Sequence, residues 1–360
     1  MSFLTLIAVI SILVFVHELG HFLVAKFSNV RVDEFAIGFP PRIFSFRYKE
    51  TIYAINLIPF GGYVKIFGEN PDVESIAGPD SGRSFVNKKR SIQAAILIAG
   101  IAMNILFAWA LLSVTFMMGI RESAPSPELA TSVLVSNVLE GSPAELAGLK
   151  PSDIVTGVTD AGGNVSKRVS TDSIQQAIAS SKGKAVTVSY ERDGKNQTVS
   201  ITPSPNGDGR PTIGIAMTDV MESKYGFFKS IIEGAKSTWS LTIQTAIGIV
   251  AFLQTFFVFS ADLSQVSGPV GIAGYLNQAR EFGASTLFMF VALISINLAV
   301  VNLLPFPALD GGRLLFVAIE SIIRRPISPK ISNTLNLIGF GLLLLLMAVI
   351  TVSDVGKLFR

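Results

Sequence analysis

The sequence predicts a polytopic α-helical membrane protein of about four transmembrane helices, with a small α+β domain and a β-hairpin inserted between them. Three observations carry this. Only 15% of the 360 residues are charged and 49% are hydrophobic, against about 25% charged in an average soluble domain. Four apolar runs reach the ~20 residues that a hydrocarbon core of about 30 Å requires. Between the second and third runs, Ser, Gly, Pro and charges rise and the apolar stretches shorten.

Residues 1–27 form the first run. They lack a basic leader and a small-residue cleavage site, and the run is too long for a signal-peptide core, so a retained helix is expected. Residues 28–90 follow; between the two apolar runs stand Lys26, Arg31, Arg42, Arg47, Lys49, Lys65 and Arg83, with Lys88-Lys89-Arg90 abutting the second helix at 91–119. Basic residues near span ends favour the cytoplasm, which puts the N-terminus outside and 28–90 inside. Within that segment, "TIYAINLIPFGGYVKIFGE" (51–69) reads as two strand-like runs around Pro59, Gly61 and Gly62, and so as a hairpin. Its apolar content is high for an exposed edge, which favours a membrane-associated hairpin over an ordinary surface one.

Residues 120–219 are then extracytoplasmic. "TSVLVSNV" and "AVTVSYERDGKNQTVSITP" alternate with period two, as half-buried strands do. Asp193-Gly194 sits between strand-like runs as a hairpin turn. "TDSIQQAIASSKG" starts with the N-cap candidates Thr171 and Asp172, keeps an apolar face and stops at Gly183, as a helix does. Residues 220–283 read as an amphipathic or re-entrant segment that includes the uncharged stretch 239–259. A full crossing there would place Arg324-Arg325 outside, so the positive-inside rule favours a helix on, or dipping into, the outer leaflet. Residues 284–304 form the third transmembrane helix and 334–353 the fourth. Residues 305–333 connect them and carry Arg313, Arg324, Arg325 and Lys330, a cytoplasmic signature.

The net charge of +3 is too small to argue for a nucleic-acid partner, and the absence of cysteine excludes disulfides and thiolate metal sites. The chain has two histidines, and both lie in "HELGH" inside the first span. Ionisable groups in a membrane span are expensive, so they default to a functional reading. Positions i and i+4 share a helix face, so His17 and His21 can grip one zinc ion, with Glu18 beside them as general base on an activated water. The bland alternative, two hydrogen-bonded neutral imidazoles, leaves the desolvation of Glu18 unexplained.

A catalytic zinc takes three protein ligands and keeps one position open. With no further His and no Cys, the third ligand has to be a carboxylate. Asp310, in "NLAVVNLLPFPALDGGRLLF", is the best candidate. Pro305 and Pro307 break the third span there, and non-helical backbone at membrane depth is tolerated where it is buried or lines a wet cavity. The competing reading makes Asp310 an N-cap of the following helix.

Two resemblances add to this. "EGSPAELAGLKPSDIVTGV" resembles the PDZ fold, whose domains bind extended peptides by strand addition; a ligand-free spacer is the alternative. The order of "HELGH", the PDZ-like insertion and "NLLPFPALDGG" resembles the site-2 protease family of intramembrane zinc metalloproteases, best its bacterial regulator-of-sigma-E protease type. The resemblance implies that His17, His21 and Asp310 bind Zn2+ and Glu18 is the catalytic base. It also implies that Asn302, Asn104, Gly61 and Gly62 meet the substrate. The expected activity is regulated intramembrane proteolysis in the inner (cytoplasmic) membrane. Its substrates would be single-pass proteins, such as anti-sigma factors or signal-peptide remnants, trimmed first by another protease. Two motifs depart from the family pattern: Ile101 stands where its second span often has Pro, and "GFP" at 38–40 replaces a commoner Gly-Phe-Gly. A metal-transport or metal-binding membrane protein remains the alternative, though it has no use for Glu18. A PDZ-based adaptor would leave both intramembrane motifs unexplained.

Overall fold

From Ser2 to Phe27 the chain has no proline and one glycine, so nothing interrupts helix α1 (Ser2–Phe27). The computed structural model describes residues 2–358 except 71, 167–168, 193, 208, 258–266 and 326. Among these, four helices are long and apolar enough to cross a membrane: α1, α3 (Arg90–Met118), α8 (Ala284–Leu303) and α10 (Pro329–Leu358). A helix satisfies its own backbone in lipid, which is why such runs fold this way. The short helix α2 (Val73–Ala77) precedes α3 and is capped by Asp72. Ile101 lies inside the uninterrupted α3, so its departure from the family pattern leaves the helix whole.

The chain divides into two compact units. The first comprises residues 1–114, 228–280 and 287–360. In it α1 and α3 meet through small residues: a Cβ at Gly20 would overlap the Ala99 carbonyl of α3. Close approach through small residues is the usual way that helices associate in lipid. The contact is antiparallel, since His21 faces Ile96 and His17 faces Asn104.

Strands β1 (Val32–Tyr48) and β2 (Thr51–Ile66) follow α1. Each folds back on itself. Residues 34–37 pair with 62–65 on one side and with 52–55 on the other, while 42–48 pairs with 51–56. Four segments therefore lie in the order 62–66, 32–37, 51–56, 42–48. This corrects the expected hairpin. The runs on either side of Pro59, Gly61 and Gly62 do not pair with each other, because 32–37 lies between them. The tight turn is instead at Lys49-Glu50, with Tyr48 opposite Thr51 and Lys49 at φ 54°. Gly38 (φ +80°) and Gly61 (φ +94°) take backbone conformations that favour glycine. The sheet exposes Phe39, Ile43, Phe44, Phe46, Leu57 and Ile58.

The β1–β2 turn is pinned to its surroundings. Glu50 accepts hydrogen bonds from Arg83 Nη2 and Lys26 Nζ, both at 2.7 Å. These two cations hold its carboxyl down at about 2, against an ordinary 4.5. A depressed carboxylate contributes stability above its unfolded pKa and loses it as pH falls through the folded one. Protection of the 48–51 amides against hydrogen exchange should therefore be complete above pH 4.5 and weaken from there towards 2. Glu50→Gln should abolish that pH dependence; an unchanged profile would refute the coupling. The effect is small, because the side chain is 30% exposed.

The other helices follow from their breakers. α6 (Phe227–Phe257) lies within the 220–283 segment and covers 239–257; residues 258–259 lie outside those described. It is not among the four span-like helices. Trp109 of α3 donates to the Ile231 carbonyl of α6 at 2.9 Å. A further helix, α7 (Pro269–Glu281), was not foreseen within 220–283. Asp354 of α10 accepts from the backbone N–H of Gly268 and Gly271 at its start. α8 ends at Leu303 ahead of Pro305 and Pro307, as proline requires. α9 (Asp310–Ile323) then packs Val317 with Ala25, Ile66, Phe85, Ile96 and Leu97. Ion pairs Arg90–Glu320 (2.7 Å) and Arg313–Glu69 hold it in place.

The second unit comprises residues 115–227 and 281–286. Its strands are β3 (Ile120–Ser123), β4 (Ser132–Val138), β5 (Ile154–Thr159), β6 (Val186–Arg192), β7 (Lys195–Ile201) and β10 (Ile215–Ser223). They form one sheet in the order β3-β10-β4-β5-β6-β7. β8 (Ser204–Pro205) and β9 (Pro211–Thr212) make a separate pair. The helix α5 (Thr171–Ser180) stands where the sequence places it, and a short helix α4 (Pro143–Leu146) precedes it. Val133, Val155, Ile174, Val188 and Ile201 are core residues. The N-cap of α5 is Ser170 rather than Thr171 or Asp172; it forms a reciprocal capping box with Ser173. Thr171 is already helical, and its N–H and hydroxyl donate to Asp219 instead. Of the expected Asp193-Gly194 turn, Asp193 lies outside the described residues, while Gly194 has φ +71° and Arg192 pairs with Lys195.

Candidate metal centre

Helix α1 carries His17 and His21 one turn apart, so both imidazoles leave the same face. Asp310 reaches them from the first residue of α9. Its competing reading as an N-cap fails, because Leu309 holds that position and no side chain caps the helix. The backbone ahead of it turns tightly: Phe306 N–H donates to Leu304 O, and Gly312 N–H to Leu309 O. A Cβ at Gly311 would overlap the Leu303 and Leu304 carbonyls, and one at Gly312 the Phe306 carbonyl. The two glycines after Asp310 are thus required by close backbone packing. Ala308, at φ +76°, donates its N–H to Asn336 Oδ1 of α10 at 3.3 Å.

Three donor atoms converge. His17 Nε2 lies 2.9 Å from Asp310 Oδ2, His21 Nε2 lies 3.2 Å from the same oxygen, and the two Nε2 atoms are 3.1 Å apart. Both imidazoles are buried and the Asp310 side chain is 18% exposed. His21 Nδ1 is 2.8 Å from the Ile96 carbonyl. A carbonyl only accepts, so the His21 proton sits on Nδ1 and its Nε2 offers a lone pair.

Glu18 is half-buried beside this cluster, within electrostatic range of His17, His21 and Asp310. Its Oε2 accepts from the Val64 backbone N–H at 3.0 Å. The edge segment 62–66 therefore touches the helix that carries Glu18. A Cβ at Gly61 would stand 3.2 Å from Val14, one turn before Glu18. Gly62 packs against the Ala36 carbonyl. Asn302 is half-buried in the last turn of α8. Asn104 has no exposed surface, and its amide nitrogen is 3.3 Å from His17 Nδ1. Sequence reasoning overlooked the Ile96 carbonyl and the Val64 N–H, because backbone groups leave no trace in residue identity.

Apolar helices of membrane-spanning length, one of them presenting H-E-x-x-H to a carboxylate from beyond the third span, define a membrane metalloprotease. The comparisons with known proteins agree. The sequence profile described as Peptidase family M50 matches residues 5–346. A Clostridium perfringens relative, provisionally named a zinc metalloprotease, is 36% identical over 347 residues, covering 96% of each chain. The zinc metalloprotease RasP of Shouchella clausii is 30% identical over 442 aligned positions, covering 99% of each chain. The regulator of sigma-W protease RasP of Bacillus subtilis is 32% identical over 429, covering 98% of each. The chain belongs to Peptidase family M50, the site-2 protease family. It is a multi-pass membrane zinc metalloprotease, and Zn2+ is its expected cofactor.

The residues fit that ion. Ligand atoms about 2.0–2.1 Å from a tetrahedral zinc stand about 3.3 Å from one another. The observed separations of 2.9, 3.1 and 3.2 Å come close to that triangle. Two imidazole nitrogens and one carboxylate are also the ligand set of a catalytic zinc with one position left open.

Proposed function

We propose that His17, His21 and Asp310 hold zinc and that Glu18 is the general base of an endopeptidase that cuts transmembrane helices of single-pass proteins. The observation that carries this is the convergence of the three donor atoms, with Glu18 beside them. Zinc held there supplies Lewis acidity and brings a water's pKa towards neutrality. Glu18 takes the proton from the attacking water on a carboxylate oxygen and passes it to the leaving amine. The Val64 N–H holds its other end. The buried imidazoles and the apolar walls of α1 and α3 keep bulk water out.

A substrate helix must unwind before its peptide bond is exposed, and in hydrocarbon each freed backbone group goes unsatisfied at several kcal/mol. The edge segment 62–66, with Gly61 and Gly62, supplies replacement partners by strand addition. Asn302 contributes from the end of α8. The exposed apolar face of β1 and β2 sits in the cytoplasmic leaflet, with the N-terminus outside and 28–90 inside. The protein resides in the inner membrane.

Residues 120–219 act as an extracytoplasmic PDZ-like domain that, with the amphipathic helix α6, admits only substrates already trimmed by another protease. Anti-sigma factors and signal-peptide remnants belong to that substrate class. The name of the Bacillus subtilis relative, a regulator of sigma-W protease, supports the first of these.

The test is cleavage of a single-span substrate by the purified chain in detergent, with bound zinc counted. Cleavage that stops on chelation and returns with zinc is the expected result. One bound zinc without cleavage of any single-span substrate, long or trimmed, would overturn the protease assignment of this site. In the same assay, a substrate size limit unchanged by deleting 124–219 would sink the filter.

A further inference from the structure

Asn104 makes an arrangement that the activity does not by itself explain. It is fully buried on α3, its Oδ1 has no hydrogen-bond partner, and its Nδ2 stands 3.3 Å from His17 Nδ1. Read literally, the amide donates to Nδ1. The His17 proton would then sit on Nε2, the atom aimed at His21 and Asp310. That tautomer has no lone pair to offer a metal. The two ends of a carboxamide have nearly the same shape, and their assignment follows from the hydrogen-bond network. Turned by 180°, the amide accepts from His17 Nδ1–H. This single change leaves Nε2 free for a metal, while the amide nitrogen takes the unpartnered place of the oxygen.

The neighbouring residue supports this orientation. His21 already has the same tautomer, set by the Ile96 carbonyl. Ile96, Gly100 and Asn104 are spaced by four along α3, so they form one stripe facing the two imidazoles. At its centre Gly100 leaves room: a Cβ there would overlap His21 Nε2 and lie 2.9 Å from His17 Cε1. Ser295 of α8 donates to the Asn104 carbonyl at 2.8 Å, which fixes the backbone behind the amide.

We propose that Asn104 is a positioning residue that holds His17 in the Nδ1–H tautomer for zinc, rather than a contact for substrate. This rests on the metal site proposed above. Outer partners of metal-bound histidines fix ring orientation, and their loss typically lowers metal affinity 10–100-fold.

The experiment measures zinc affinity by competition with a chromophoric chelator, in detergent, for wild type, Asn104→Leu and Asn104→Asp. Leu keeps the volume without an acceptor; Asp keeps an acceptor. The expected result is a 10–100-fold loss for Leu and an affinity within about threefold of wild type for Asp. Wild-type affinity in the Leu variant would overturn the proposal, as would equal losses in both, which would mean that only packing matters. Failure of wild type to bind zinc would instead remove the metal site itself, so the two failures are distinguishable.

Discussion

Glu18→Gln is expected to abolish cleavage while leaving zinc in place. General acid–base catalysis contributes about 10²–10⁴ in rate, and Glu18 lies in electrostatic range of both imidazoles and of the candidate ligand Asp310. The fold should tolerate the change. Glu18 is half-buried, and its protein hydrogen bond is accepted from Val64 N–H, a role the glutamine carbonyl also fills. Turnover of a single-span substrate should fall at least a hundredfold, with zinc content equal to wild type by atomic absorption. Residual activity within tenfold of wild type would show that the base lies elsewhere. Loss of zinc together with activity would mean that Glu18 is a ligand.

Gly100→Ala is expected to damage the metal site through a single added methyl group. The new Cβ would overlap His21 Nε2 and crowd His17 Cε1. The helices cannot part to make room without loosening the whole contact, because Gly20 already lies against Ala99 and Gly100. Overpacking of this kind costs about 1–3 kcal/mol, and here the strain falls on the two imidazoles. Zinc affinity should drop at least a hundredfold and thermal stability should fall. Gly248→Ala is the control. That glycine lies inside α6 with open space around its missing Cβ, and exchanging an interior helical Gly for Ala stabilises by roughly 0.5–1 kcal/mol. Wild-type zinc affinity in Gly100→Ala would refute the close packing of α1 and α3 at the site.

Much of the site was readable because its residues are anomalous where they stand. Two histidines and a glutamate in an apolar run need a reason, and i, i+4 spacing supplies one. Asp310 was legible because two prolines halt α8 just before it. Yet its alternative role, capping α9, was settled only by seeing Leu309 in the cap position. In the second unit, period-two alternation located β4, β6 and β7. The capping choice between Ser170 and its neighbours depends on which residue first turns helical, and composition does not encode that.

The sheet after α1 shows the limit most clearly. Two strand-like runs within 51–69, on either side of Pro59, Gly61 and Gly62, were visible, but their partner was not. Residues 32–37 insert between them, and strand pairing is a contact between distant positions that local pattern cannot rank. Likewise, the resemblance gave Asn104 a substrate role, and its place beside His17 was visible only in the fold.

By itself, the sequence determined which helices are long and apolar enough to cross a membrane, and it singled out the candidate donors of a zinc peptidase. Those properties reside in single residues and in short-range periodicity: the cost of desolvation, the pitch of a helix, the missing N–H of proline. Only the tertiary structure decided which segment of the sheet touches Glu18, that Asp310 meets the imidazoles instead of capping its helix, and that α3 lines them with a carbonyl, a gap and an amide. The physical reason is that each of these depends on the meeting of surfaces far apart in the chain, where a few tenths of an ångström separate a hydrogen bond from a clash.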